Sequence, residues 1–133
     1  MESPKNLKWS VPSITTLCNW INSGLKYKHV KILVTGGSGF LGTYLVEELL
    51  KKKFEVTILC RNKPIKWHLA SVKFIFGSIE DKNIVEKAVI NMDWVFHVAS
   101  KAGVWGDYQT YYSINVLGTK NIIETCKKFK ISK

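Results

Sequence analysis

The stretch Thr35-Gly36-Gly37-Ser38-Gly39-Phe40-Leu41-Gly42 carries the sharpest chemical signal in the chain. Glycines at 36, 39 and 42 follow a β-branched run and open a segment with helical leucine spacing. Each has a separate job in such a loop. Gly36 permits the tight turn off a strand. Gly39 removes a Cβ where a diphosphate must approach the backbone, and Gly42 lets the helix lie close to the sheet. The N–H groups at the helix start then face the negative phosphates. A glycine-rich turn with no ligand has the same composition. The strand, turn and helix context is what points to dinucleotide binding.

The second position that could do chemistry is the end of the next apolar run. An acidic residue there would hydrogen-bond the ribose 2′-hydroxyl of NAD, whereas a nearby arginine accommodates the 2′-phosphate of NADP. Cys60 occupies the acidic position and cannot accept those bonds well. Arg61, the chain's only arginine, follows it. A guanidinium there makes a bidentate phosphate partner, so NADP is the expected cofactor and NAD the alternative. A solvated loop arginine is the plainer explanation of the same residue. His97 falls inside an apolar run and is expected to be a satisfied core histidine rather than a base. Trp105 and Tyr108 either line a substrate cleft or cap the sheet, and the sequence leaves both open.

These residues need elements to position them. Short apolar runs at Val30–Thr35, Phe54–Cys60, Val72–Phe76 and Asp93–Ala99 read as strands. They alternate with helical patterns at Phe40–Lys53, where Leu41, Leu45 and Leu49 repeat, and at Asp81–Asn91, with Asp81 as N-cap. A long helix over Thr110–Phe129 offers Ile114, Leu117, Ile122 and Cys126 for packing. Such alternation predicts an α/β fold: a Rossmann-type doubly wound parallel sheet with helices on both faces. It is incomplete, with about four strands in the expected order 3-2-1-4. Residues 1–29 are different. They carry Pro4, Pro12, Gly24, Trp9 and Trp20, which predicts a partly helical or flexible arm with one short helix near Ser13–Asn22.

Composition sets the outer bounds. At 133 residues the chain holds one domain, and 46% hydrophobic with 23% charged residues is globular. No apolar run approaches the ~20 residues that cross a bilayer, and Met1–Leu7 has no secretory core. Cys18, Cys60 and Cys126 are scattered, without disulfide or metal spacing, so a reducing, cytoplasmic setting is expected. The net charge is +10. The excess is nearly all lysine at expected helix ends, without interleaved aromatics, so it reads as a solvated surface and not a nucleic-acid interface.

The glycine loop, the Cys60-Arg61 strand end and the segment His97 to Glu124 resemble the extended short-chain dehydrogenase/reductase family. Within it the likeness is to the 3β-hydroxysteroid dehydrogenase-like branch, which includes 2-alkyl-3-oxoalkanoate reductases. It covers about Val30 to Lys133, with Asn115-Val116-x-Gly118-Thr119 in the family's order and spacing. The resemblance implies that Gly36, Gly39, Phe40, Leu41 and Gly42 hold the pyrophosphate. It implies that Ser78 and Ile79 lie beside adenine, with Ser78 standing where the family has an aspartate. It places Ala99, Ser100 and Lys101 along the ribose and nicotinamide, and makes Asn115 a support for active-site geometry. Ala99 and Asn115 have plainer roles too, in packing and helix register.

The activity so implied is hydride transfer between a nicotinamide and a 3-hydroxy/3-oxo group of a steroid-like or long-chain substrate. Sugar-nucleotide epimerase chemistry and a non-catalytic dinucleotide-binding module are the alternatives. Proton transfer in this family uses a Tyr-x-x-x-Lys pair after a fifth strand, and residue 133 comes before that point. Only Tyr27 and Lys31 have the spacing here, ahead of the first strand and away from the crevice. The chain is therefore expected to be an N-terminal portion with no catalytic residue of its own, Asn115 supporting at most. Lacking a fifth strand, the Asp93–Ala99 edge is expected to be apolar and unpaired, inviting self-association or pairing with a missing C-terminal half.

Overall fold

The computed structural model describes residues 30–62 and 72–133. The expected N-terminal arm and its helix near 13–22 lie outside the described residues. The elements run β1 (Lys31–Thr35), α1 (Phe40–Lys51), β2 (Glu55–Cys60), β3 (Val72–Phe76), α2 (Lys82–Val89) and β4 (Trp94–His97). A helical rod follows, built of α3 (Tyr108–Tyr112), a π segment (Ser113–Gly118) and α4 (Thr119–Lys128). The strands are parallel in the order β3-β2-β1-β4, the arrangement that the alternating pattern predicts.

Successive strand side chains point to opposite faces, and this divides the core in two. Ile32, Val34, Val56 and Ile58 pack with Val46 and Leu49 of α1. Leu33 and Leu59 pack on the other face with Val85, Ala88 and Val89 of α2 and Ile122 of α4. Both faces are covered, so the strands are apolar on both sides.

The helices refine the leucine pattern. In α1 the buried stripe is Gly42, Val46 and Leu49. Leu45 is half-buried, and Leu41 is 65% exposed at the start of the helix. Asp81 caps α2 as expected, accepting from the N–H of Asn83 at 2.9 Å and of Ile84 at 3.3 Å. The long rod departs from the expected single α-helix. Its π segment winds more residues per turn and rotates the faces beyond it. Leu117, expected to pack, is 42% exposed. Gly118 meets the core instead, where a Cβ would stand 2.6 Å from Ile79.

Two helix ends share a tight closure. After α1, Phe54 N–H donates to Leu49 C=O and Lys53 N–H to Leu50 C=O. After α4, Ile131 and Lys130 repeat those bonds to Cys126 and Lys127. Lys53 and Lys130 take the left-handed position, at φ 62° and 53°, where glycine is usual. The outer edge of β4 also differs from expectation. Val95 N–H donates to Lys133 C=O at 2.9 Å, and Ser132 Oγ donates to Asp93 C=O at 3.0 Å. The last residues thus run beside β4, and its edge is not wholly unpaired.

Candidate functional site

The glycine loop turns off the carboxyl end of β1. Gly36 adopts φ 72°, and a Cβ there would stand 2.6 Å from the backbone nitrogen of Ala99. Its carbonyl accepts from Gly39 N–H at 3.0 Å. Gly42 sits so close beneath it that a Cβ would reach within 2.1 Å of that same oxygen. Gly39 is different: the only atom near its would-be Cβ is Gly36 O, at 3.3 Å. Packing demands glycine at 36 and 42, while at 39 the space lies open. Gly37 has a role that sequence reasoning missed, since a Cβ there would meet Ile58 at 2.9 Å. No side chain caps α1, and no acidic residue occupies its first turn. Its positive end therefore faces outward, unneutralised.

That end opens into a cleft of about 560 Å³ along the carboxyl ends of the strands. All the residues assigned to cofactor contact by sequence line it. The glycine loop and the start of α1 form its floor, Arg61 stands at the tip of β2, and Ser78 and Ile79 follow β3. Ala99, Ser100 and Lys101 follow β4. Asn115 is set behind the wall. Its Oδ1 accepts from Lys101 N–H at 2.8 Å and its Nδ2 donates to Lys101 C=O at 3.0 Å. Both bonds go to one residue, so the π segment clasps the β4 loop and fixes its height above the sheet.

Cys60 is buried beside Arg61, and burial pushes its thiol pKa up. A neutral thiol offers only a weak acceptor, so Arg61 is the charged group at this strand end. Past the end of the neighbouring β3 stands Glu80, also on the cleft wall, which sequence reasoning missed. Its two carboxylate oxygens accept from the hydroxyls of Ser113 and Ser78. The Ser113 and Ser78 hydrogen bonds hold its pKa below the ordinary carboxylate range, and Arg61 adds to that. The available signal was a carboxylate two residues after Ser78.

His97 is held on both sides. Thr35 Oγ1 lies 2.6 Å from Nδ1 and Thr119 Oγ1 lies 2.9 Å from Nε2. Burial pushes its pKa down, which keeps the ring neutral. This is the satisfied core histidine of the sequence analysis. Thr35 Oγ1 also accepts from Ala99 N–H at 3.3 Å, so the histidine braces the β1 and β4 ends of the cleft. Trp105 and Tyr108 stand outside the lining of this cleft and do not cap the sheet. They are 90% and 70% exposed, Tyr108 at the start of α3 and Trp105 on a loop that folds about Tyr111, whose hydroxyl donates to Trp105 C=O.

A parallel sheet of order 3-2-1-4, a glycine loop at the central strand and a crevice at the carboxyl edge define a Rossmann-type domain. Solved structures share it. UDP-glucose 4-epimerase of Thermus thermophilus, determined with NAD, matches at TM-score 0.68 and 31% identity, over 77% of this chain and 35% of that one. The chain belongs to the 3-beta hydroxysteroid dehydrogenase/isomerase family, whose model matches residues 33–133. A 2-alkyl-3-oxoalkanoate reductase of Shewanella oneidensis is 40% identical over 100 residues, which are 75% of this chain and 26% of that protein. Human sterol-4-alpha-carboxylate 3-dehydrogenase, decarboxylating, is 34% identical over 100 residues, with the same coverage. The chain thus spans about a quarter of the length of these curated relatives. Among the described residues no helix is long and apolar enough to cross a membrane.

Proposed function

We propose that this chain is the N-terminal, NADP(H)-binding portion of an oxidoreductase. That enzyme moves hydride between the nicotinamide and a 3-hydroxy/3-oxo group of a steroid-like or long-chain substrate. The observation that carries the reading is the single cleft joining the uncapped start of α1 to Arg61 on one side and the Ala99–Lys101 loop on the other. A dinucleotide has this extended shape, with its diphosphate at the centre.

The residues present fit the cofactor. The open space above Gly39, which a Cβ would enter, suits a diphosphate approaching backbone N–H groups. Arg61 presents a planar fork to a 2′-phosphate. Ala99, Ser100 and Lys101, held by Asn115, wall the far end and set the depth of whatever lies there. When bound, the nicotinamide supplies or accepts the hydride. The proton belongs to the Tyr-x-x-x-Lys pair of the family resemblance; the only such spacing here is Tyr27 and Lys31, of which Tyr27 lies outside the described residues and Lys31 opens β1 at the end away from the cleft. The chain by itself is thus expected to bind without turnover, since positioned proton transfer is worth roughly 10²–10⁴-fold. A cytoplasmic location and self-association along β4 belong to the same proposal. The epimerase neighbour keeps sugar-nucleotide chemistry as the second reading.

The test is fluorescence titration of the chain and of Arg61→Ala with NADPH and NADH. The wild type should prefer NADPH, and the variant should lose about tenfold in NADPH affinity while NADH is nearly unchanged. A preference for NADH, or no effect of the substitution, overturns the NADP assignment.

A further inference from the structure

We propose that Glu80 is the hydrogen-bond acceptor for the 6-amino group of the adenine ring, with Ser78 and Ser113 as its positioning residues. The inference rests on the dinucleotide reading above and assigns its purine subsite. With the diphosphate over the start of α1 and the adenosine ribose at the tip of β2, the attached base must extend outward to the next strand end. That end is β3, where the cleft wall runs from Gly77 to Glu80.

Ser78 alone is a poor acceptor there. Its hydroxyl hydrogen is spent on Glu80 Oε2 at 2.8 Å, and its oxygen already accepts from Glu80 N–H at 3.3 Å. The carboxylate has more to offer. Ser113 occupies one lone pair of Oε1 and Ser78 one of Oε2, and an ionised carboxylate has about four acceptor sites. Two remain, on a side chain that is exposed on the cleft wall. The two serines come from different elements, the turn after β3 and the π segment. They fix the carboxylate from both ends, so it loses little freedom when a ligand arrives. Asn121 steadies the same turn, donating from Nδ2 to the carbonyls of Ile79 and Glu80 at 3.0 Å each.

The chemistry predicts discrimination between purines. Adenine presents N–H donors at position 6, whereas hypoxanthine presents a carbonyl oxygen, which a carboxylate repels. The full chain should be titrated with NADPH and with reduced nicotinamide hypoxanthine dinucleotide phosphate. The wild type should bind the adenine form about tenfold more tightly, the fold-change of one hydrogen bond to a charged group. Glu80→Gln, whose amide can donate to the 6-carbonyl, should erase or reverse that preference. Ser113→Ala should reduce it by about threefold, with circular dichroism confirming the fold of each variant. An unchanged adenine preference in Glu80→Gln overturns the assignment while leaving dinucleotide binding intact. Failure of the folded wild type to bind either nucleotide overturns the underlying reading, and this inference with it.

Discussion

Alanine at Gly42 and alanine at Gly39 should fail in opposite ways, although the two sites are three residues apart in one loop. At Gly42 the added methyl would stand 2.1 Å from Gly36 O, with Gly36 C and Gly37 Cα at 2.8 Å. All three are backbone atoms, so no side chain can swing aside. The first turn of α1 must move by about 1 Å to restore ordinary contact, and overpacking against backbone that cannot yield costs about 2–3 kcal/mol, the upper part of the usual range. Replacing a helical glycine by alanine returns about 1 kcal/mol. The net loss is roughly 1–2 kcal/mol, which lowers Tm by about 4–10 °C for a domain of this size. At Gly39 the methyl would meet only Gly36 O, at 3.3 Å, and the backbone at φ −79°, ψ 173° is one that alanine adopts. Alanine is a weaker N-cap by about 0.5–1 kcal/mol, and the stiffer unfolded chain offsets about as much. Gly39→Ala should therefore melt like the wild type but lose at least about tenfold in NADPH affinity, because its methyl fills the diphosphate's approach. Thermal melts and NADPH titrations of both variants give the answer. A Gly42→Ala protein as stable as the wild type refutes the contact reasoning. Unaltered NADPH affinity in Gly39→Ala refutes the placement of the diphosphate.

Three further outcomes follow from the geometry. Lys53→Gly and Lys130→Gly relieve left-handed backbone at φ 62° and 53° and should each raise stability by about 0.5 kcal/mol in urea unfolding; a lowered midpoint would contradict this. Asn115→Asp keeps the acceptor for Lys101 N–H but sets a second oxygen against Lys101 C=O, now 3.0 Å from the Nδ2 donor. It should cost about 1–3 kcal/mol and speed amide exchange around residue 101, whereas protection equal to the wild type would show that the clasp is idle. His97 has its folded pKa lowered by burial, so the unfolded chain takes up a proton that the native state refuses. Stability should fall as the pH drops below about 6.5, and His97→Gln should flatten that slope in unfolding measured at pH 7.5 and 5.5; equal slopes would refute it.

The layered order of the fold was legible because buried parallel strands write themselves as near-continuous apolar runs, and because glycine at 36, 39 and 42 has few other uses. The cleft was legible for the same reason. Once β1 to β4 are ordered, the residues just past their carboxyl ends must meet. What sequence could not show depended on a single turn of geometry. Leu117 has the spacing of a core residue in an α-helix, and only the π segment turns it out and brings Gly118 against Ile79. Glu80 is one of many surface carboxylates until the rod delivers Ser113 to it across 33 residues. Trp105 carries a large apolar side chain, yet the loop folds about Tyr111 and leaves it in solvent.

The central claim is that this cleft grips a dinucleotide at the start of α1. Its most direct test is a titration of the folded 133-residue chain with NADPH, followed by the fluorescence of the nicotinamide. Saturable binding at one site, weakened by Gly39→Ala, is the predicted result. A folded chain that leaves NADPH and NADH free at millimolar concentration would contradict the account.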